Sequence, residues 1–500
     1  MSLLAVDIGS SACKAILFAS DGQILAQHTS SYRPELPRPL FAELDPERFW
    51  DALRSCSRAV AEGHPVQALC LSSHGETFVP VDREGRPLSH AILNQDSRAL
   101  EESNWCEAVL GGQRLFQITG LVAHPMYPLP KILWLRRHRP EVFRATHSFL
   151  TLIGYLLAKM GLPPLVDYSL ASRFLAFDID KRAWSDEILR ATELDAACLP
   201  LPAPAGTIVG SLKADIAGQL GVPPQTPVVL GGHDQPCGAL GAGVMGEGRV
   251  SDSMGTYECL LAVSEAPSLS EKARAYALNS YCHVVPDKFV TLAYFPSGIM
   301  LQWFHDLLYA NASSEAAASR SARDGEARHY ALLESDAPQG PTGLCITPHL
   351  IGSGNPDFNP RVRGLIAGLN PGSGRAHLYK GILEGLACEL SIVSEALEQA
   401  VGSFRDIYVT GGGTSSALGL ELRAALTGRR LHVMSRQEAV CLGTAILAGV
   451  AVGEYASIGQ AVAGVVGESA VWAPNPAVSA SYREQANRYR QLRSAAVAQA

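Results

Sequence analysis

Five hundred residues are more than one hydrophobic core organises, so two domains or more are expected. Hydrophobic residues make up 47% and charged residues 18%, which excludes a disordered chain and suits a well-buried enzyme. Net charge is −7, with no basic excess to neutralise a phosphate backbone, so nucleic acid is not an expected partner.

In chain order, the apolar run 3–6 meets Asp7 too early to serve as a signal peptide. It ends in Asp7-Ile8-Gly9-Ser10-Ser11, and a second strand-forming run over 14–18 is followed by Ser20-Asp21-Gly22-Gln23. Strand, polar turn, strand and turn predict a hairpin. A helix is expected over 46–61, then a strand over 68–71 that leads into Ser72-Ser73-His74-Gly75. The apolar stretch 149–158 stops at Lys159, short of the roughly 20 residues a membrane helix needs, and no membrane association is expected. The strand 228–230 delivers Gly231-Gly232-His233-Asp234-Gln235. Gly241-Ala242-Gly243-Val244-Met245-Gly246 fits GxGxxG but lacks an acidic residue at the ribose-binding distance, so it reads as a helix end and turn.

Residues 250–256 run into an apolar strand over 260–263 and repeat the polar, glycine, hydroxyl pattern of 7–11. That repeat divides the chain into halves beginning near residues 1 and 246. Short strands alternating with helical stretches predict α/β layers. The Ala- and Ser-rich segment 311–328 reads as an exposed helix or a mobile loop. A strand over 407–409 precedes Thr410-Gly411-Gly412-Gly413-Thr414-Ser415-Ser416. Eleven cysteines without a CxxC pair predict reduced thiols and a cytoplasmic location.

Chemistry narrows the choices. No Gly-Lys dipeptide occurs, which excludes a Walker A loop, and HExxH and GxSxG are absent. At Asp7-Ile8-Gly9-Ser10-Ser11 a carboxylate can hold Mg²⁺ through water, while the glycine and hydroxyls suit a phosphate; an ordinary Asx or ST turn is the alternative. Asp234 ends a buried strand on a glycine-flanked turn, where it can take a proton from a substrate hydroxyl or cap the following helix. Three glycines at 411–413 leave a flat slot for an adenine or a phosphate, or form a plain surface turn.

The order of these motifs resembles the FGGY carbohydrate kinase family. Supporting stretches are Lys131-Ile132-Leu133-Trp134-Leu135, Asp167-x-Ser169-x-Ala171-Ser172, Ser297-Gly298 before Trp303-Phe304, and His377 to Glu384. The resemblance implies two ribonuclease-H-like, actin-like ATPase domains flanking a deep catalytic cleft, over 1–245 and 246–500. It also implies MgATP as phosphate donor and a small sugar or polyol as acceptor, and relatives are often dimers. Carried over, Asp234 is the general base and Asp7 positions Mg²⁺. Gly9, Ser10, Ser11, Gly255, Thr256 and Gly298 surround phosphates, and Gly411, Gly412, Gly413 and Ser415 lie along the adenosine. His74, Gly75 and Asp96, with Asp234, hold the sugar. The Ser73-His74-Gly75 and Asn94 to Arg98 segments look closest to the xylulokinase branch, so D-xylulose is the expected acceptor. Ser73 in place of Met and the missing Trp before Asp96 depart from that branch, leaving gluconate, erythritol and glycerol-like acceptors open. A non-catalytic sugar or nucleotide sensor is the alternative from another class, against which the presence of both Asp7 and Asp234 argues.

Overall fold

The structure, a computed structural model, describes residues 2–309 and 320–500. Two mixed sheets dominate it. In the first, the strands lie in the order Ile208–Ser211, Pro227–His233, Val66–Ser73, Ser2–Ile8, Ala12–Ala19 and Ile24–Ser31. In the second the order is Asn279–Cys282, Phe289–Pro296, Tyr257–Ser264, Arg249–Met254, Asp406–Thr410, Arg430–Met434 and Glu468–Trp472. Each sheet opens with an antiparallel hairpin whose first strand is then flanked by a parallel neighbour reached through a crossover. The repeat read from the sequence is therefore a repeat of topology.

Burial follows from the strand pattern. Along Ser2–Ile8 nearly every side chain is buried, because both faces of the sheet are covered. Leu4, Val6 and Ile8 pack on one face with Phe49, Leu53 and Val60 of the helix Pro46–Ala61. Leu3 and Ala5 point to the other face and meet Leu442, Ala445 and Ile446 of the helix Ala439–Ala451. The second sheet mirrors this. Its face with Val250, Leu260 and Ile407 is covered by the helix Arg375–Val401, and its other face meets Ala239, Ala242 and Val244. Each half thus lends a helix, or its end, to the core of the other.

Those two lent helices, Asp234–Gly241 and Ala439–Ala451, cross at contact distance. A Cβ on Gly241 would stand 1.9 Å from the Ala439 carbonyl oxygen, and one on Gly443 1.9 Å from that of Cys237. Only glycine permits this approach on either side. A third cluster, around Phe78, Trp134 and Phe149, lies outside the first sheet and rests on four short strands, Glu43–Leu44, Ala91–Ile92, Phe78–Val81 and Ser148–Thr151.

The expected helix over 46–61 is present, with the Asp45 carboxylate accepting from the Glu47 amide and Pro46 in the first turn. The strand expected over 68–71 is longer, Val66–Ser73. The apolar stretch 149–158 divides at Thr151, whose hydroxyl accepts from the Gly154 amide and starts the helix Leu152–Lys159. Gly241 ends its helix and Gly243 takes φ +76°, a helix end and turn as expected. The segment read as an exposed helix or loop lies outside the described residues over 311–319, and its remainder falls in the helix Arg320–Ser335. Among the described residues no helix is long and apolar enough to cross a membrane.

Candidate active site

The first hairpin places its turn, Gly9-Ser10-Ser11, at the end of the sheet. The Gly9 amide donates to the Ala12 carbonyl at 2.9 Å, and the Tyr32 hydroxyl donates to the Gly9 carbonyl at 2.5 Å. Hairpin register sets Asp7 opposite Lys14 and beside Ser72 of the parallel strand. The Ser72 hydroxyl donates to Asp7 Oδ1 at 3.1 Å, and Lys14 Nζ reaches across to Glu438 Oε2 at 2.6 Å.

The second hairpin does the same in the other half. The Gly255 amide donates to the Tyr257 carbonyl at 3.0 Å, leaving Gly255 and Thr256 exposed at the tip. The Gly298 amide donates to the Gly255 carbonyl at 3.0 Å, and a Cβ there would stand 2.5 Å from that oxygen. Gly298 therefore braces the turn. Behind it, Gly411 takes φ +93° and passes so close to Met254 that a Cβ would lie 2.7 Å from its carbonyl oxygen. The Gly411 amide donates to Gln437 Oε1 at 2.7 Å.

Two cavities lie by these hairpins, one lined by Gly411 and the other by Gly412 and Gly413. The smaller, about 190 Å³, is lined by Asp7, Lys14, Asp234, Gly411, Gln437 and Glu438 among others. The larger, about 820 Å³, is lined by Gly255, Gly298, Gly412, Gly413, Ser415 and Tyr330 among others, with Arg423 and Glu334 also on its wall. The Gly411–Gly413 backbone separates them. Of the residues expected from the sequence, Asp7, Asp234 and Gly411 line the smaller cavity and Gly255, Gly298, Gly412, Gly413 and Ser415 the larger, whereas Gly9, Ser10, Ser11 and Thr256 line neither.

Asp234 is the first residue of its helix and 22% exposed at the side chain, and its Oδ1 makes no well-aligned hydrogen bond. Burial pushes its carboxyl well above the ordinary range, and the nearby charges of Asp7 and Glu76 add to this. Burial likewise pushes Asp7 up to about 6, with Ser72 and Lys14 pulling it back. His233 sits beside the pair: its Nε2 is 3.2 Å from Asp234 Oδ1 and its Nδ1 3.1 Å from the Tyr281 hydroxyl. Burial holds His233 neutral, well below its usual pKa. Two partly buried carboxyls of raised proton affinity on the wall of the smaller cavity can accept a proton and hold a hard cation. Among the described residues no three acidic, His or Cys side chains converge as a metal cage. One carboxylate beside a cavity of about 190 Å³ can nonetheless serve a Mg²⁺ that keeps water and phosphate oxygens in its shell.

Two expected sugar residues stand differently. His74 is buried, with Nδ1 2.9 Å from the Ile8 carbonyl and Nε2 2.7 Å from the Thr77 hydroxyl, so both ring nitrogens are used inside the protein. Asp96 is buried too: it accepts from the Ala42 amide at 2.7 Å and from the Arg98 guanidinium at 2.7–2.9 Å. Neither is on the wall of the two cavities. Gly75 packs against His233 and Arg173, where a Cβ would meet ring atoms at 3.1 Å. Lys14, Glu76, Arg173, Gln437 and Glu438 were not singled out from the sequence. Only Lys14 carried a signal, since a two-residue period through the hairpin sets it opposite Asp7.

Residues 2–241 match the N-terminal domain of the FGGY family of carbohydrate kinases, and residues 250–452 its C-terminal domain. The chain is 30% identical to the xylulose kinase of Escherichia coli over 90% of each chain. It is 28% identical to the gluconokinase of Bacillus subtilis over 93% of this chain and 90% of that one. Among solved structures, the xylulose kinase of Lactobacillus acidophilus superposes with a TM-score of 0.88 at 21% identity, covering 99% and 98% of the two chains. Matches to both domain models, over a fold of this kind, leave one conclusion: the chain belongs to the FGGY family of carbohydrate kinases and is an ATP-dependent sugar kinase.

Proposed function

We propose that this kinase transfers the γ-phosphate of MgATP to D-xylulose, giving D-xylulose 5-phosphate, and does so in the cytoplasm. The observation that carries the chemistry is Asp234, which lines the small cavity with Asp7 and whose Oδ1 has no cation on it, only the neutral His233 ring at 3.2 Å. In this reading residues 1–245 supply the acceptor site, the first phosphate turn and the base, and residues 246–500 the second phosphate turn and the adenosine slot.

Asp234 accepts the proton of the attacking hydroxyl, and the high proton affinity conferred by its surroundings suits that task. Asp7 holds the Mg²⁺, which supplies charge neutralisation to the phosphate oxygens. Gly9, Ser10, Ser11, Gly255 and Thr256 offer backbone and hydroxyl donors to the phosphates from two sides. Gly412, Gly413 and Ser415 border the larger cavity, whose volume of about 820 Å³ accommodates a nucleoside. His74 and Asp96 serve the sugar by fixing the backbone of their loops, since their polar atoms are occupied. Eleven free thiols suit a reducing compartment.

D-xylulose is supported by the 30% identity to a xylulose kinase; gluconate is its competitor, because a gluconokinase is nearly as similar. A coupled ADP-release screen over pentuloses, polyols, aldonates and glycerol tests the choice. The highest kcat/KM is expected for D-xylulose, and a better acceptor of another class replaces it.

A further inference from the structure

The wall of the larger cavity is short of side-chain donors. Ser297, Ser335, Ser415 and Ser416 stand on it, and each hydroxyl is committed to the protein. Ser297 donates to Glu258 Oε2 at 2.8 Å and Ser335 to the Leu332 carbonyl at 2.8 Å. Ser415 donates to the Gly412 carbonyl at 2.9 Å and Ser416 to Glu334 Oε2 at 2.7 Å. A carbonyl or carboxylate only accepts, so in each pair the hydrogen belongs to the serine. Arg423, a buried cation on the same wall, donates from Nε and Nη2 to Glu258 at 3.1 and 2.9 Å. Its Nη1 donates to the Gly419 carbonyl at 3.3 Å. The other side-chain donors there are Tyr379, which reaches Glu334, and Tyr330, whose ring stacks on that of Tyr379 at 5.8 Å.

Glu334 stands on this wall half-buried, as part of the helix Arg320–Ser335, and reaches across to the glycine turn. Its Oε1 accepts from the Leu418 amide at 2.8 Å, and its Oε2 from the Ser416 hydroxyl and, at 3.5 Å, from that of Tyr379. These bonds hold the carboxylate at the start of the helix Ala417–Thr427, where a negative charge is favoured. A carboxylate offers about four lone pairs, and these three bonds leave one on Oε1. A nucleoside in this cavity therefore meets a fixed acceptor and few side-chain hydrogens. It has to bring hydrogens of its own, and adenosine carries them on the base amino group and on the ribose hydroxyls.

We propose that Glu334 is a specificity residue for the phosphate donor: its carboxylate accepts a hydrogen bond from the nucleoside, given by the adenine amino group or by a ribose hydroxyl. The inference rests on the reading of the larger cavity as the nucleoside site and deepens it by naming what recognises the nucleoside there.

The test compares ATP with purine riboside triphosphate, 2′-deoxy-ATP and 3′-deoxy-ATP, each lacking one of those groups, with the best sugar acceptor. In the wild type one of these analogues is expected to be poorer than ATP by about tenfold or more in kcat/KM, mainly through KM. In Glu334→Ala that penalty is expected to shrink to within about threefold, because variant and analogue remove the two ends of one bond. Glu334→Gln keeps the size but loses the charge, and is expected to fall between the two. A carboxylate that only held the glycine turn would weaken every donor alike and leave the ratios unmoved. Melting curves report folding, and if Glu334→Ala does not fold, Glu334→Gln carries the comparison. Analogues all as good as ATP in the wild type, or a penalty undiminished in the Glu334 variants, overturn the proposal. Gly412→Leu tests the cavity itself, since a Cβ on Gly412 meets nothing within 4 Å and the longer side chain would occupy the slot. ADP affinity, measured by calorimetry, is expected to fall by about tenfold or more in that variant. ADP bound as tightly as by the wild type removes the nucleoside from this cavity, and the role of Glu334 with it. ADP affinity lost in Gly412→Leu, with analogue penalties independent of Glu334, overturns this inference alone.

Discussion

Two groups of carboxylates in this molecule, one half-buried and one wholly buried, have opposite fates. In the cleft, burial pushes both Asp7 and Asp234 up, Asp7 adds to the push on Asp234, and Asp234 Oδ1 has only the neutral His233 ring near it, at 3.2 Å. Under the C-terminal helix Pro476–Ala498, Glu389 is fully buried as well, yet it sits at about 2. Burial pushes Glu389 up, and its neighbours more than offset this: Arg493 Nε donates to Oε1 at 2.8 Å, the Tyr489 hydroxyl donates at 2.7 Å, and His349 Nε2 stands 3.2 Å away. Arg493 also holds Asp357 at 2.6 Å, tying the helix to the loop beyond Asn355. Burial alone thus does not mark a functional carboxylate. What separates the two groups is the cation: among the described residues neither Asp7 nor Asp234 pairs with a lysine or arginine, whereas Glu389 Oε1 is held by Arg493 and ties helices together.

The largest expected effect breaks that contrast at the cleft. Asp234→Asn keeps the shape and removes the basicity, so kcat is expected to fall by about 10²- to 10⁴-fold, roughly 3–5 kcal/mol of barrier. Steady-state kinetics with the best acceptor measure it; turnover within threefold of wild type means Asp234 is not the base. Asp7→Asn is expected to lower Mg²⁺-dependent kcat by about 10²-fold while leaving sugar affinity nearly unchanged. Calorimetry that shows sugar binding lost as well would assign Asp7 to the acceptor site or to folding.

At the other group the effect is expected in stability. Glu389→Gln leaves Arg493 buried with a weaker partner, so unfolding free energy is expected to fall by about 3 kcal/mol with kcat little changed. Urea unfolding and kinetics on the same sample separate the two. A variant that loses activity while keeping its stability would put Glu389 among the functional carboxylates.

What the sequence made legible was local. Gly9, Gly255 and Gly411 were readable because each follows a strand directly and the pattern spans only a few residues. Asp234 was readable because an acid follows a buried strand directly. What was hidden depends on partners distant in the chain: Lys14 pairs with Glu438 across 424 positions, and Arg173 with Glu76 across 97. His74 and Asp96 mark the limit from the other side. Their residue types suit a sugar, but only the fold reveals that Ile8, Thr77, Ala42 and Arg98 already occupy their polar atoms. The crossing of Gly241 and Gly443 was equally hidden, since each glycine is explained by a backbone some two hundred residues away.

The smallest expected effects are slopes of stability against pH, and the two carboxylate groups should give opposite signs. Glu389 has a folded pKa of about 2 against an ordinary 4.5, so its contribution is fully present above pH 4.5 and is lost as pH falls toward 2. Two and a half units correspond to roughly 3 kcal/mol at most. The stability gap between wild type and Glu389→Gln should therefore narrow on acidification through that window. Asp7 has a folded pKa of about 6 against an ordinary 3.8, so the stability that its protonated form contributes is present below 3.8 and lost as pH rises through 6. In metal-free protein, Asp7→Asn should gain on wild type as pH rises from 4 to 7, by at most about 3 kcal/mol. Urea midpoints for the three proteins across pH 3 to 8 give both slopes. If Asp7→Asn runs parallel to wild type, the cleft carboxylate is not held away from its ionised form, and the contrast with Glu389 fails where it matters for catalysis.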